Sequence, residues 1–224
     1  MMLVAQNVTK KYYRPTKNQS HFEAVKPCTL ELTPGKLTEI TGRSGSGKST
    51  LLYMCAGLLK PNSGTVMLDG KDLYRMDDKE LSRLRNENFG VIPQGQNGLY
   101  ALSVLENVLI PAALLKGDSA DYTDRARELL DMVGILNLEN ARMSELSGGE
   151  MRRMSIARAL LLKPKVLFAD EPTDDLDDEN TNIVLNLLRK TADSGCAVML
   201  VTHESEAAKY ADIILKMDAG QLQK

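Results

Sequence analysis

The sequence predicts an α/β fold with a helical insertion, on three observations. Short apolar runs alternate with helical stretches at both ends of the chain. The middle carries helical periodicity, and a glycine-rich loop stands between one predicted strand and the helix that follows it.

In chain order, Met2–Val8 reads as a strand, Arg14–Ser20 as a polar loop, and Phe22–Leu32 as a second strand closed by the turn Thr33-Pro34-Gly35. Leu37–Thr41 is strand-like and precedes the glycine-rich loop. Lys48–Leu59 has no breaker before Gly57 and reads as a largely buried helix. Lys60–Gly64 is a turn and Thr65–Leu68 another strand. Helical periodicity follows over Asp77–Arg85 (Leu81 and Leu84 on one face) and Asp121–Val133 (Ala126, Leu129, Leu130 and Val133), with Asp77 and Asp121 as candidate N-caps. Gly90–Pro93 reads as a strand and Gly149–Leu162 as a helix stopped before Pro164. Lys165–Ala169 is a short continuous apolar run, the pattern of a parallel strand buried on both faces, Ala197–Val201 and Ile213–Met217 read as two further buried strands, and Glu179–Thr191 is a helix. The insertion spans about 73–163 of a single 224-residue domain.

Gly42-Arg43-Ser44-Gly45-Ser46-Gly47-Lys48-Ser49 matches G-x-x-x-x-G-K-[ST], and Thr50 follows it. A loop that turns its amides inward around phosphates needs the dihedrals glycine permits, and the helix behind it aims its positive end at the same anion. In such a loop Lys48 reaches the β- and γ-phosphates and Ser49 holds Mg²⁺. A second chemical signal is Val166-Leu167-Phe168-Ala169-Asp170-Glu171, an apolar strand that ends in two carboxylates. At the carboxyl edge of a parallel sheet, Asp170 can hold Mg²⁺ and Glu171 can align a nucleophilic water. Leu146-Ser147-Gly148-Gly149-Glu150 then opens a helix with Ser147 as its natural N-cap, and makes a second candidate anion site.

These motifs together resemble the ATP-binding cassette family. Leu146–Glu150 lies about twenty residues before the Asp-Glu pair and about a hundred after the phosphate loop, and the resemblance covers essentially the whole chain. It implies a P-loop NTPase with a RecA-like parallel-sheet core, an N-terminal antiparallel β subdomain and the helical insertion as a subdomain. It implies ATP and Mg²⁺ as ligands, with ATPase activity. Gln94 resembles the glutamine that contacts Mg²⁺ and the attacking water, Asp170 the metal aspartate, Glu171 the catalytic base, and His203 the switch histidine that touches the γ-phosphate. Tyr12 resembles the aromatic that stacks on adenine, with Tyr13 as its competitor. Ser147, Gly148, Gly149 and Glu150 are similar to the signature that closes the ATP site of a second copy, paired head to tail. The remaining partner implied is a separate membrane permease, which places the chain in the cytoplasm on the inner face of the membrane.

The stretches Gly42–Leu52, Leu105–Val108, Ser144–Glu150 and Ala169–Thr173 resemble the lipoprotein-releasing and macrolide-exporter branch. Met151, Gly95 and the pair Asp174-Asp175 depart from the family pattern; the last brings two extra charges to the expected dimer seam. A cassette ATPase that moves a membrane partner without transport, as in cell division, fits the same residues. A DNA-repair cassette would need a coiled-coil insertion or zinc cysteines, and a P-loop kinase or GTPase has no use for Leu146–Glu150.

Composition narrows the field further. There are 28 Lys and Arg against 30 Asp and Glu, a net charge of −2, which argues against an electrostatically driven nucleic-acid binder. The longest apolar run, Val108–Leu115, is too short to span a membrane, and the N-terminus turns polar too early for a signal peptide. Cys28, Cys55 and Cys196 are scattered and read as reduced thiols. His21 has no motif around it. Met132, Met143, Met151 and Met154 read as core fillers, and Arg152 and Arg153 as solvent-facing.

Overall fold

A computed structural model describes residues 2–13, 21–95, 97–116, 120–174 and 176–223. The loop expected over 14–20 and Asp175 lie outside the described residues. Strands β1 (Leu3–Tyr13), β2 (His21–Leu32), β4 (Ser63–Leu68) and β5 (Lys71–Asp72) form an antiparallel sheet in the order β2-β1-β4-β5. A second sheet runs β10-β9-β3-β8-β7-β6, from β3 (Leu37–Thr41), β6 (Phe89–Ile92), β7 (Val166–Asp170), β8 (Ala197–Val201), β9 (Ile213–Asp218) and β10 (Gln221–Gln223). It is parallel except for the β9–β10 hairpin.

Period-two alternation divides the central strands between two cores. Val166, Phe168, Met199 and Val201 face α1 (Lys48–Cys55) and the antiparallel sheet, whereas Leu167, Ala169, Val198 and Leu200 face the other helices. Phe168, fully buried, meets Phe89 edge to face with centroids 5.3 Å apart, a pair worth ~0.5–1.5 kcal/mol beyond its area burial. Asp212 fastens the start of β3: it accepts from the Leu37 amide (2.8 Å), Lys36 Nζ (3.1 Å) and Arg189 Nη1 (2.6 Å).

The insertion carries α2 (Asp78–Asn88), α3 (Val104–Lys116), α4 (Thr123–Met132) and α5 (Gly148–Leu160), with α6 (Asp178–Asp193) after β7. β6 leaves this helical stretch to join the sheet beside β7. Asp77 caps α2 with a capping box to Glu80, as its position before the apolar period predicts.

Several expectations need correction. α1 ends at Cys55 rather than Leu59, because Gly57 takes φ +69 and the amides of Leu58 and Leu59 both turn back to the Tyr53 carbonyl. Asp121 does not cap α4; it lies in a 3-10 turn, and the cap position is taken by Tyr122, whose side chain does not cap the helix. α3 contains Pro111, which by the local rule argues against a helix there, and Asn86 of α2 donates to the Pro111 carbonyl at 3.0 Å. Met143, Met151 and Met154 are buried, but Met132 is half exposed.

Candidate active site

The carboxyl ends of β3, β7 and β8 and the start of α1 converge on one edge of the parallel sheet. The loop between β3 and α1 is shaped by its glycines. Gly42 (φ +151) and Gly47 (φ +108) are hemmed by backbone: a Cβ would come to 2.2 Å of the Met217 carbonyl oxygen and 2.1 Å of the Ala24 carbonyl oxygen, respectively. Arg43, Ser44 and Gly45 form the exposed crest, while Ser46 and Lys48 are buried and Thr50 is half-buried.

Gly47, at the N-cap of α1, offers no side chain, so the first-turn amides of Lys48, Ser49 and Thr50 stay available. That is the requirement for an anion site. The Lys48 amine folds over the loop, donating to the carbonyls of Gly42 (2.8 Å) and Arg43 (3.3 Å), and lies 3.7 Å from Glu171 Oε1.

Ser49 Oγ donates to Asp170 Oδ1 at 2.9 Å, while Asp170 Oδ2 is buried without a hydrogen-bond partner among the described residues. Burial pushes the Asp170 carboxyl up, against the pull of Ser49. A hydroxyl beside a carboxylate with a free, buried oxygen is a hard-oxygen donor set that fits Mg²⁺. Gln94 follows β6; the Ile92–Ala169 register carries it toward the same edge, and it is exposed. Glu171, 7% exposed, takes φ +47, its amide held by the Val201 carbonyl at 2.8 Å. His203 Nδ1 lies 3.0 Å from Glu171 Oε2. Asp174 adds a third donor to this pair, the three groups lying within 4.8 Å of one another.

The signature segment has a different chemistry. Ser147 caps α5, and Glu150 answers it: Glu150 Oε2 accepts from the Ser147 amide (2.7 Å) and hydroxyl (2.8 Å). The Glu150 carboxylate is thus committed to its own helix cap, which also holds its pKa low, and Gly148 and Gly149 leave the amides of that turn facing outward. No hydrogen bond or ion pair joins Ser147–Glu150 to Gly42–Thr50 among the described residues. Tyr12 also stands apart, on the exposed end of β1 with Lys10 Nζ 5.7 Å from its ring centroid. Tyr13, its competitor, is more exposed still and packs only edge-on against His21.

Three site residues escaped the sequence reading. Tyr53 is one helical turn past Ser49 on α1, near Asp170; burial and that carboxylate push its phenol up to about 12. Its i+4 spacing from Ser49 was the available signal. Glu204 accepts from Thr173 Oγ1 at 2.7 Å, tying the segment after Glu171 to the one after His203. Arg152 is not solvent-facing: it is 4% exposed and donates to the Pro93 carbonyl at 2.8 Å. Arg153 is half-buried and bonds Asn180. Both are covered because α5 packs against β6, α3 and α4, which leaves it no fully wet face.

Residues 25–174 match the family described as ABC transporter. The chain is 38% identical over 217 residues to the lipoprotein-releasing system ATP-binding protein LolD of Buchnera aphidicola, covering 96% of this chain and 93% of that one. It is 36% identical to the macrolide export ATP-binding/permease protein MacB of Chlorobaculum tepidum, covering 98% of this chain but 33% of that longer one. Among solved structures it resembles the dimeric bacterial ABC transporter cassette MJ0796 (TM-score 0.92, 32% identity, 99% and 97% covered). It also resembles the same cassette in a post-hydrolysis dimer with ADP and Pi (TM-score 0.88, 30% identity, 99% and 98% covered).

Proposed function

The chain belongs to the ABC transporter family, and we propose that its nucleotide site works as one half of a composite site shared between two copies. It is the ATP-binding, ATP-hydrolysing subunit of an ABC transporter. The observation that carries the site reading is the placement of Glu171 between Lys48 and His203, beside a helix start whose amides are open.

In this reading the amides of Gly42–Thr50 and the Lys48 amine bind the phosphates, and Tyr12 stacks on the base. Ser49 and Asp170, with Gln94, would hold Mg²⁺, which supplies charge neutralisation on the phosphate oxygens. Glu171 orients the attacking water and takes its proton. Lys48 and His203 stabilise charge on the transferring phosphoryl group. Ser147, Gly148 and Gly149 of one copy close the site of the other, head to tail. What supports this pairing is their separation from the phosphate loop within one chain, together with the dimeric form of the similar cassettes.

The membrane partner docks, in this proposal, on the apolar depression formed by Phe89, Val91, Leu99, Ile110, Pro111 and Leu114. Leu99 is 55% and Leu114 76% exposed, beside the segment that carries Gln94. No helix among the described residues is long and apolar enough to cross a membrane, and in this proposal the partner is a separate permease chain.

The test is Glu171→Gln. The variant should bind ATP, form an ATP-dependent dimer by light scattering, and lose turnover by roughly 10²–10⁴-fold, the usual contribution of a positioned base. A rate near that of the wild type would remove Glu171 from the base role.

A further inference from the structure

The peptide bond between Pro93 and Gln94 is held at its carbonyl. From α5, Arg152 donates Nη1 to the Pro93 carbonyl at 2.8 Å. Beyond Gln94, Arg158 of α5 donates Nη2 to the Asn97 carbonyl at 2.7 Å. Two arginines of one helix therefore grip the backbone on either side of Gln94.

Arg152 is an unusual choice for this grip. It is 4% exposed and no carboxylate pairs with it among the described residues. Burying a guanidinium against a backbone carbonyl is costly where an apolar side chain would pack freely. What the arginine supplies is reach and a directed donor that fixes one peptide plane.

We propose that Arg152 is a positioning residue for ATP hydrolysis. By clamping the Pro93–Gln94 peptide to the helix that begins at Ser147, it sets where Gln94 stands relative to Asp170 and Glu171. Arg152 acts through Gln94 and touches no phosphate. The inference rests on the site reading given above, in which Gln94 faces the cation and the attacking water.

The experiment compares Arg152→Gln, Arg152→Met and Arg152→Lys with the wild type. ATPase rates are measured with ATP and Mg²⁺ varied separately, alongside binding of a fluorescent ATP analogue. Arg152→Gln and Arg152→Met should lower kcat by roughly 10–100-fold, the scale of a misplaced catalytic group, and raise the Mg²⁺ needed for half-maximal rate. Nucleotide affinity should stay within about threefold, because the phosphate loop is untouched. Arg152→Lys keeps one donor and should recover much of the rate. A folded Arg152→Gln whose kcat stays within about twofold of the wild type overturns the proposal, as does a parallel fall of kcat and nucleotide affinity. If Arg152→Gln does not fold, Arg152→Met, which keeps an unbranched stem without a donor, decides by the same split between kcat and affinity. A wild type without ATPase activity would instead sink the site reading itself.

Discussion

The Glu171 carboxylate and His203 meet twice: the His203 amide donates to Oε2 at 3.2 Å, and the ring Nδ1 lies 3.0 Å from the same oxygen. With Lys48 Nζ 3.7 Å from Oε1, both oxygens of a buried carboxylate are engaged from opposite sides. The His203 ring itself is mostly exposed, so one nitrogen is tied to Glu171 while the other is free to face an incoming phosphate. His203→Ala should leave nucleotide affinity nearly intact and lower kcat by roughly 10²-fold, the loss typical of one electrostatic donor. Equal activity in the variant would mean that the amide contact alone orients Glu171.

The two glycines of the phosphate loop that touch backbone should behave differently from the one that does not. Gly47→Ala places a Cβ 2.1 Å from the Ala24 carbonyl oxygen at φ +108, and Gly45→Ala meets nothing within 4 Å at φ +75. Gly47→Ala should abolish ATP binding and lower Tm. Gly45→Ala should show only the ~1–2 kcal/mol of left-handed strain. Thermal melts with and without ATP separate the two.

Ser147 has a structural and a functional consequence that different substitutions divide. Ser147→Ala removes the cap of α5 and should cost about 1 kcal/mol of stability. Ser147→Arg should leave ATP binding to the single subunit unchanged and prevent the ATP-dependent dimer, which size-exclusion with Glu171→Gln as background would read. Wild-type ATPase in Ser147→Arg would argue against a site shared between copies.

Glu39 lies at the centre of β3, beside Leu200 and Ile214, fully buried with neither carboxylate oxygen partnered among the described residues. Burial raises its pKa, so the folded protein keeps this proton more tightly than the unfolded chain does. The stabilisation is complete below the unfolded pKa of about 4.5 and is lost as pH rises through the folded value. Glu39→Gln should therefore raise Tm at pH 8, with a gain that shrinks toward pH 5. Thermal melts at the two pH values would check it, and a pH-independent difference would count against a buried acid.

Much of the fold was legible because its signals are local. β3 and β8 fall on the residues their apolar runs predict, and Asp77 and Ser147 cap helices as their spacing to Glu80 and Glu150 requires. Pro111 concealed α3, because a local rule reads proline as a helix breaker and cannot register the neighbours that pack on the helix, such as Asn86 of α2 on the Pro111 carbonyl. β5 and β10 are two and three residues long, too short for any period to show.

The sequence by itself determined the chemistry offered to a nucleotide: glycines where backbone crowds the loop, Lys48 and Ser49 behind them, and Asp170 and Glu171 at a strand end. Those roles depend on residue type at fixed spacing along one chain segment. Only the tertiary structure decided that the Glu150 carboxylate answers Ser147, that Tyr53 lies near Asp170, and that Arg152 turns inward. Each of these depends on which helix face another element covers, and α5 is covered on several sides by strand and helices far away in the chain. A charged side chain is read as solvated until something is seen to lie over it.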